Sequence, residues 1–356
     1  MLLCPDQPSW AFDNIATNIS RHAGAHRVSK IYMRDVLDNE HRFFEAIFLK
    51  RIDLCHVFWR EDIFHLLDPG TIRRAAQRMG FDYPAMIRGI NSCAFTTSVY
   101  DHLFSGADDL RRRRARFALI DGYTVSSNKL RDIYAAAPGL PPPDAVIPDG
   151  VDTDHFSPAG GGRKDKRELA IGWVGNSAWG RDARDDDVKG FHRLFRPMMK
   201  ALAERGFAVK EVVADPQVSY VPFADMPALY RQLDVFVCTS AAEGTPNPVL
   251  EAMACSVPVV STDVGIVADV FGPLQRPFII HDETVGHFAD AVATLLKDAA
   301  LRRRIGRENR ARALQWSWEI RTRGWWPFWS AMTKRAMNAR NAMRREASFL
   351  SLAGMG

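Results

Sequence analysis

Short apolar runs recur along this chain and are separated by stretches in which apolar residues return at helical spacing. In the first half, six such runs lie at residues 1–4, 27–33, 53–59, 93–100, 122–127 and 145–150. Amphipathic stretches near residues 10–22 and 43–50 predict helices between the first runs. Strands that alternate with helices favour a parallel sheet covered by helices on both faces, which is an α/β fold.

The same pattern restarts in the second half, after an interruption at residues 159–168. That interruption, AGGGRKDKRE, is rich in glycine and charge and has no periodicity, so we interpret it as an interdomain linker. Apolar runs then return at residues 169–175, 208–213, 234–240, 257–262 and 277–282. The pattern predicts one α/β domain at residues 1–158 and another at 169–316, and it leaves 317–356 as a C-terminal segment.

Composition sets outer bounds on structure and partners. The 356 residues suffice for two domains with a buried core in each, and 47% hydrophobic with 25% charged residues is ordinary for a globular protein. Lys and Arg outnumber Asp and Glu by 47 to 42. This mildly basic balance is compatible with anionic nucleotides, nucleic acid or an acidic membrane surface, and it does not choose among them.

The sequence carries no recognisable export signal. Its start, MLLCPDQPSW, has neither the charged leader nor the long apolar core of a signal peptide, and no apolar run reaches transmembrane length. The five cysteines have no CxxC spacing and are expected to be reduced, buried thiols. We therefore expect the protein in the cytoplasm.

The segment with the clearest chemistry runs from Glu243 to Gly265, EGTPNPVLEAMACSVPVVSTDVG. An apolar run at 233–240 predicts a buried strand, a helical pattern begins at Pro248, and the run at 257–262 predicts the next strand. The loop therefore follows the carboxyl end of a parallel strand, where open α/β sheets bind ligands. Glu243 is expected in this loop and Glu251 in the first helical turn.

The loop also meets a helix N-terminus, whose unpaired N–H groups and positive dipole end suit a phosphate. Prolines have no N–H, so Pro246 and Pro248 are excluded as donors. The backbone donors that remain belong to Gly244, Thr245, Asn247, Val249 and Leu250. Carboxylates only accept hydrogen bonds, so the two glutamates suit hydroxyl groups on either side of an anion. A sugar nucleotide presents that order: hexose hydroxyls, pyrophosphate, ribose hydroxyls.

The segment resembles the Glu-x7-Glu signature of the family 4 glycosyltransferases, which are retaining enzymes of the GT-B fold. The resemblance implies that Glu243 lies beside the donor hexose, that Glu251 binds the ribose, and that the amides of loop 244–250 hold hexose and pyrophosphate. It also implies two Rossmann-like domains facing each other across a cleft. A C-terminal helix would cross back onto the first domain, and residues 316–339 have the position and apolar character of that helix.

Two further stretches resemble motifs of the same family. IPDGVDTDHFSP, at 147–158, resembles the motif that closes the first domain, and residues 172–195 resemble the first strand, loop and helix of the donor domain. The second resemblance implies that Lys189 contacts the donor pyrophosphate as a point charge.

The donor loop departs from the family pattern at Asn176 and Ser177. Relatives commonly carry an arginine after the glycine that ends this strand, whereas this chain has these two polar residues. We expect both at the donor, with the pyrophosphate held either by one cation fewer or by Arg181 or Arg184.

A run of carboxylates in the same loop raises the question of a metal. Clustered carboxylates are ligands of hard cations, and the run contains Asp182, Asp185, Asp186 and Asp187. We interpret it as a solvated, charged loop, because resemblance to the GT-B enzymes implies that Lys189 and helix dipoles stabilise the leaving diphosphate. We predict no metal site and no cofactor.

In the first domain, TTSVYDHLFSG (96–106) lies where family members have a histidine motif that reaches into the cleft. Tyr100 stands at the usual histidine position and His102 two residues on, so either is a candidate to bind a hexose hydroxyl. The alternative, which we weigh equally, is that the tyrosine packs in the core and the histidine lies at the surface.

Trp10 is a candidate to stack on an acceptor sugar, and Asp13 is a candidate to hydrogen-bond it. For Trp10 the alternative is packing at the start of a helix.

Two arginine runs, 111–114 and 302–304, are interpreted as solvated helix faces rather than nucleic-acid patches, because apolar residues lie among the arginines.

The C-terminal segment mixes tryptophans with basic residues. That mixture suits an anionic membrane surface, and packing of the crossover helix explains its aromatic residues equally well.

The predicted function is transfer of a hexosyl group from a UDP- or GDP-sugar to an acceptor hydroxyl, with retention of configuration. The acceptor is expected to be a saccharide or a lipid-linked saccharide, in the cytoplasm or peripherally at the inner membrane face. Two alternatives stay open: another GT-B chemistry such as an epimerase or a phosphorylase, and a non-catalytic module that binds sugar nucleotides or polysaccharide. The sequence identifies neither the base, the hexose nor the acceptor.

Overall fold

The structure is a computed structural model that describes residues 1–158, 160, 168–179, 187–352 and 354. The chain forms two compact units. The first contains Met1–Pro148 and Thr322–Gly356, and the second contains Asp149–Arg321. The chain therefore leaves the first unit once and returns to it at the C-terminal end.

The first unit is built on a parallel sheet of short strands. These are β1 (Leu2–Cys4), β2 (Ser29–Lys30), β3 (Leu54–Val57), β4 (Ala94–Val99), β5 (Gly122–Val125) and β6 (Ala145–Val146). Their order is β2-β1-β3-β4-β5-β6, and every neighbouring pair runs parallel. All residues of β1, β3, β4 and β5 are buried, as expected of a sheet covered on both faces.

Helices connect these strands and cover the sheet. They are α1 (Ala11–Arg21), α2 (His41–Leu49), α3 (Arg60–Leu66), α4 (Pro69–Met79), α5 (Tyr83–Ile90), α6 (Ala107–Phe117) and α7 (Asn128–Ala135). Local chemistry sets several helix starts, because the side chains of Asp68, Asp82 and Ser127 accept hydrogen bonds from amides of the first turns of α4, α5 and α7.

The second unit repeats the architecture with its own parallel sheet. Its strands are β7 (Leu169–Val174), β8 (Val209–Ala214), β9 (Val235–Cys238), β10 (Val259–Thr262) and β11 (Ile279–Ile280), in the order β11-β10-β9-β7-β8. Its helices are α8 (Arg196–Glu204), α9 (Met226–Gln232), α10 (Asn247–Ala254), α11 (Val267–Val270), α12 (Val285–Lys297), α13 (Ala299–Leu314) and α14 (Trp318–Arg321). A π-helical turn at Phe191–Phe195 precedes α8.

The predicted strands appear at the expected places, but three edge strands are shortened to two residues each: β2, β6 and β11, from the runs at 27–33, 145–150 and 277–282. The run at 27–33 was expected to be a full strand, but only Ser29–Lys30 pairs with β1, and a 3₁₀ turn follows at Met33–Asp35. This strand lies at the edge of its sheet, where only one neighbour fixes it.

The first unit ends at Pro148, earlier than the domain end expected at residue 158. Val151 pairs with Ser317 in an isolated parallel bridge. Arg310 donates to the carbonyl oxygens of Thr153 and Phe156 at 3.0 and 2.9 Å. These contacts hold residues 149–158 on the second unit. The interruption expected to be a linker, 159–168, lies outside the described residues except for 160 and 168.

The C-terminal segment folds as two helices, α15 (Trp325–Ala336) and α16 (Ala339–Leu352), that belong to the first unit. The rings of Trp325 and Trp329 lie 4.9 and 5.5 Å from the ring of His56 on β3. Trp326 stacks on His26 with a centroid distance of 4.7 Å. Packing therefore accounts for these three tryptophans.

None of the helices in the described part of the chain is long and apolar enough to cross a membrane.

Candidate functional site

The segment from Glu243 to Gly265 folds as strand, loop, helix and strand. It contains the end of β9, a loop at 239–246, helix α10 and strand β10. β9 lies between β10 and β7 in the parallel sheet, so its loop leaves the carboxyl edge at an interior position. The sequence-based prediction of this local structure is therefore confirmed.

Lys189 and Glu243 form an ion pair at this edge. The ammonium Nζ lies 2.5 Å from the carboxylate Oε1, and each side chain is 17% exposed. The same Nζ lies 4.7 Å from the ring centroid of Trp179. The structure thus brings together two residues that are 54 positions apart in sequence and that the family resemblance assigned to one site.

Backbone contacts hold the turn that carries Lys189 against the end of β9. The hydroxyl of Thr239 donates to the carbonyl oxygen of Lys189 at 2.7 Å. The amide of Ala241 donates to the carbonyl oxygen of Val188 at 2.8 Å. Gly190 has φ +66°, and a Cβ there would lie 2.2 Å from the carbonyl oxygen of Thr239. Only glycine fits this turn without displacing the strand end.

Asp187 is a structural residue of the same turn. Its carboxylate accepts hydrogen bonds from the amides of Phe191 and Arg193, at 3.0 and 2.6 Å, and so caps the helical turn after Gly190. The other three aspartates of the run, at 182, 185 and 186, and the alternative cations at 181 and 184 lie outside the described residues. Within the described part of the chain, no group of three metal-ligating side chains occurs.

A second close backbone contact shapes the loop around Glu243. Gly265 has φ +50°, and a Cβ at this position would lie 2.1 Å from the carbonyl oxygen of Gly244. The turn after β10 therefore rests directly on the loop backbone, and the hydroxyl of Thr262 donates to the carbonyl oxygen of Ser240 at 2.6 Å. The conformation of the loop depends on its neighbour strand as well as on its own sequence.

Glu251 lies in α10 and is held by a tyrosine. The hydroxyl of Tyr230 on α9 donates to Glu251 Oε2 at 2.7 Å, and Tyr230 is fully buried. Burial raises the pKa of Glu251 to about 7, against the lowering effect of this hydrogen bond. The sequence offered no sign of Tyr230, because the contact joins two helices 21 residues apart.

Asp149 contacts the loop from the stretch predicted to close the first domain. Its amide donates to Thr245 Oγ1 at 3.2 Å, and Asn247 Nδ2 lies 3.5 Å from its carboxylate. Burial raises the pKa of Asp149 to about 7, with the Asn247 contact opposing the shift. In this structure the Asp-Gly-Val-Asp stretch begins the second unit and supports the loop, which its sequence position did not reveal.

The remaining predicted donor residues lie around the same edge. Asn176 and Ser177 follow β7, and the amide of Ser177 lies 3.3 Å from an Asp215 carboxylate oxygen. The amide of Val249 already donates to the carbonyl oxygen of Pro246 at 2.9 Å, and the side chain of Leu250 is fully buried in the first turn of α10. The contacts predicted for Val249 and Leu250 are backbone contacts, and the predicted donor contacts of all four residues stay predictions.

In the first unit, Tyr100 and His102 follow the carboxyl end of β4. The ring of Tyr100 lies 5.2 Å from that of Phe12 and 6.4 Å from that of Phe58, so it belongs to an aromatic cluster. The hydroxyl of Ser105 donates to the backbone carbonyl oxygen of His102 at 2.7 Å. These contacts explain how the turn is held, and the predicted sugar contact of either side chain stays a prediction.

Trp10 and Asp13 differ in how they are constrained. Trp10 is 60% exposed, so packing does not account for it. Asp13 accepts hydrogen bonds from Lys30 Nζ at 2.7 Å and from the hydroxyl of Tyr32 at 3.2 Å. An acceptor hydroxyl at Asp13 would therefore share the carboxylate with these two donors.

A buried charge cluster at the same edge was not foreseen. Arg60, whose side chain is fully buried at the start of α3, pairs with Asp101 at 3.1 Å. Burial, with the nearby carboxylates of Asp6 and Glu61, raises the pKa of Asp62 to about 7. Burial also raises the pKa of Asp6. The sequence does not reveal such a cluster, because its charged residues follow different strands and come together only in the folded sheet.

Comparison with protein families gives one match. Residues 214–312 match the family model described as glycosyl transferases group 1. The matched region contains Glu243, Glu251 and the loop between them, but it does not reach Lys189 or the first unit.

Curated relatives are similar over parts of the chain. The O-antigen chain mannosyltransferase B of Escherichia coli is 34% identical over 102 residues, which is 29% of this chain and 26% of that protein. The alpha-maltose-1-phosphate synthase of Mycobacterium tuberculosis is 28% identical over 226 residues, 54% of this chain and 58% of that protein. The alignments thus span about a quarter to three fifths of these two relatives' own lengths.

Solved structures match nearly the whole chain. Sucrose-phosphate synthase from Thermosynechococcus elongatus has a TM-score of 0.68 at 14% identity, with 94% of this chain and 98% of that chain covered. HepE from Anabaena, in complex with UDP-glucose, has a TM-score of 0.66 at 12% identity, with coverages of 93% and 99%. At such identities the likeness shows the fold, and the predicted GT-B fold with two Rossmann-like units is confirmed.

Proposed function

We propose that this protein transfers a hexosyl group from a nucleoside-diphosphate sugar to an acceptor hydroxyl with retention of configuration. The observation that carries the proposal is the ion pair between Lys189 and Glu243, beside the loop that leads into α10, the helix that carries Glu251. A cation, two carboxylates and a helix N-terminus at one sheet edge suit a diphosphate flanked by hydroxyl groups. The family match of residues 214–312 supports the same conclusion.

Glu251 is proposed to bind the ribose. Its Oε2 accepts a hydrogen bond from Tyr230, which orients the carboxylate and leaves Oε1 to accept from a ribose hydroxyl. The tyrosine also supplies one of the hydrogen bonds that the carboxylate needs before the ligand binds. A preformed acceptor of this kind lowers the ordering cost of binding.

Lys189 and Glu243 are proposed to act at the reacting end of the donor. Lys189 would stabilise the negative charge that develops on the leaving diphosphate, and Glu243 would bind the hexose and stabilise positive charge at the anomeric carbon. In the free protein, each neutralises the other at 2.5 Å. Donor binding therefore places the diphosphate where it shares the ammonium with Glu243.

The same proposal includes three finer points: the reaction retains configuration, it needs no metal, and its donor is a UDP- or GDP-sugar. They are supported by the family resemblance of the Glu243–Glu251 segment. The relatives include a mannosyltransferase, and one protein of similar fold was solved with UDP-glucose. A donor diphosphate oxygen is then the base for the incoming acceptor hydroxyl.

The acceptor is proposed to bind the first unit through the carboxyl edge of its sheet. That edge carries the aromatic side chains of Trp10 and Tyr100 and the half-buried carboxyl of Asp6. Aromatic faces and hydrogen-bond acceptors suit the faces and hydroxyls of a saccharide. A saccharide or lipid-linked saccharide is the proposed acceptor class, in the cytoplasm or peripherally at the inner membrane face.

The test is incubation of the protein with UDP- and GDP-sugars and saccharide acceptors, without added metal. We expect nucleoside diphosphate release coupled to a new glycosidic bond whose anomeric configuration matches the donor. Interconversion of sugar nucleotides without an acceptor would support an epimerase instead. Donor binding with neither hydrolysis nor transfer would support a non-catalytic binding module.

A further inference from the structure

A cavity of about 430 Å³ lies at the amino edge of the sheet in the first unit. Its lining includes Asp121 and Gly122 at the start of β5, and Asp144 just before β6. Tyr100 and His102 follow the opposite, carboxyl end of β4. Because the strands run parallel, this cavity lies at the other edge of the sheet from the predicted acceptor residues.

Four lining residues have side-chain hydrogen-bond donors: Arg114, Tyr123, Arg335 and Arg345. The Tyr123 hydroxyl donates to the carbonyl oxygen of Pro141 at 2.6 Å and is therefore occupied. The other three donors are guanidinium groups, one each from α6, α15 and α16. The guanidinium of Arg335 already donates from Nη1 to the carbonyl oxygen of Asp121 at 2.6 Å.

The two carboxylates of the lining already have partners. Asp121 accepts from the amide of Phe95 at 2.8 Å and from Arg345 Nη1 at 2.5 Å. Asp144 accepts from the amide of Tyr123 at 3.0 Å and from Arg335 Nη2 at 2.7 Å. A ligand in this cavity therefore meets arginine donors on a wall whose carboxylates are already satisfied.

Arg345 is the residue that most needs a further partner. Its side chain is 5% exposed, and its Nε and Nη2 atoms have no hydrogen-bond partner. Buried polar groups in folded proteins are nearly always satisfied, so two unpaired donors on one cavity-lining guanidinium require an explanation. A bound oxyanion supplies acceptor oxygens for both atoms, because the fork of an arginine matches phosphate geometry.

We propose that this cavity binds the phosphate group of a small phosphorylated molecule. Arg114, Arg335 and Arg345 donate to the phosphate, and the rest of the ligand contacts the apolar part of the lining, which includes Ile120, Pro141 and Pro142. The volume lies within the range of about 300–1,000 Å³ that is usual for small-molecule sites. A soluble phosphate ester and a phospholipid headgroup offer the same chemistry.

The loop opposite α6 gives Arg114 its place. Gly139 has φ +72°, and a Cβ there would lie 2.5 Å from the guanidinium carbon of Arg114. The absence of a side chain at this position lets the guanidinium lie against the loop backbone. Gly139→Ala is therefore a variant that displaces Arg114 without changing the charge of the protein.

The test is a calorimetric titration with inorganic phosphate and with glycerol 3-phosphate. It is performed in the Lys189→Ala background, which removes the cation of the proposed donor site. We expect saturable binding that weakens about tenfold or more in Arg114→Gln, as for loss of a charged hydrogen bond. A weakening is also expected in Gly139→Ala.

The matched control is Arg111→Gln. Arg111 lies on the same helix, its side chain is 77% exposed and pairs with Asp108, and it is absent from the cavity lining. We expect unchanged phosphate binding in this variant. Equal affinities in Arg114→Gln and Arg111→Gln would show that any binding is general surface attraction, and would overturn the proposal.

Co-sedimentation with vesicles identifies the source of the phosphate. Binding to vesicles of phosphatidylcholine with phosphatidic acid, lost in Arg114→Gln and retained in Arg111→Gln, supports a lipid headgroup. Binding of the soluble probes alone, with the same dependence on Arg114, supports a soluble ester. Failure of inorganic phosphate, glycerol 3-phosphate and these vesicles to bind through Arg114 would overturn the proposal, whatever the outcome for glycosyl transfer.

Discussion

The ammonium group of Lys189 is held in place by its neighbours. Glu243 lies 2.5 Å away, the ring of Trp179 lies 4.7 Å away, and the Lys189 carbonyl is bonded to Thr239. An ion pair with 17% exposure on each side is well shielded from salt, so removal of one member leaves a poorly solvated charge on the other. The two residues are therefore expected to act as a unit.

Lys189→Met tests the role of that ammonium in turnover. We expect turnover of the donor to fall roughly 10- to 100-fold, because loss of a charged hydrogen-bond partner costs about 1.5–3 kcal/mol. Lys200→Met is the matched control, since Lys200 is 79% exposed and pairs only loosely with Glu204 at 3.8 Å. Steady-state release of nucleoside diphosphate is the measurement, and equal rates in the two variants would remove Lys189 from the mechanism.

The raised pKa of Glu251 predicts how donor binding depends on pH. Burial raises this pKa to about 7, so the carboxylate proposed to accept the ribose hydroxyls becomes protonated as pH falls through that value. Affinity for the sugar nucleotide is expected to be constant above pH 8 and to fall by up to about tenfold per pH unit below 7. Glu251→Gln should bind more weakly and lose this pH dependence.

The pH prediction is measured by titrating the sugar nucleotide from pH 5 to 9. An identical pH profile in wild type and Glu251→Gln would show that another group titrates.

At the level of elements, the proposed donor site depends on close approach between two turns. The turn after β10 rests on the loop after β9, because Gly265 has no side chain between its backbone and the carbonyl oxygen of Gly244. β7, β9 and β10 were predictable because buried parallel strands appear as short continuous apolar runs. The partners Tyr230, Asp149 and Asp187 were not predictable as partners, because each contact depends on how separate elements pack.

Gly265→Ala tests the contact between these turns. A Cβ at φ +50° and 2.1 Å from the Gly244 carbonyl forces the loop to move, so donor affinity is expected to fall about tenfold or more. Gly286→Ala is the matched control, since Gly286 lies in α12 with nothing within 4 Å of an added Cβ. Donor titration of both variants is the measurement, and wild-type affinity in Gly265→Ala would contradict the role of this contact.

At the level of the whole molecule, the C-terminal helices complete the first unit. The expected crossover helix returns to that unit as α15, where Trp325 is 2% exposed and packs against His56 and Trp329. The aromatic character of this segment was visible in the sequence, whereas its packing partner His56 was not. The basic residues Arg335 and Arg345 lie against Asp144 and Asp121 of the same unit.

Trp325→Ala tests this packing. Truncation of a buried tryptophan is expected to lower the free energy of unfolding by about 3–5 kcal/mol. Trp10→Ala is the control, because a side chain that is 60% exposed should change stability by about 0.5 kcal/mol or less. Denaturant titration followed by circular dichroism is the measurement, and equal midpoints for the two variants would show that α15 contributes little to the first unit.

The most direct test of the proposed donor site is calorimetric titration of wild type and Glu251→Ala with UDP and GDP. We predict that wild type binds one of the two nucleoside diphosphates, and that Glu251→Ala binds it about ten- to a hundredfold more weakly. Failure of wild type to bind either nucleotide, or equal affinity in the two proteins, would contradict the assignment of this site.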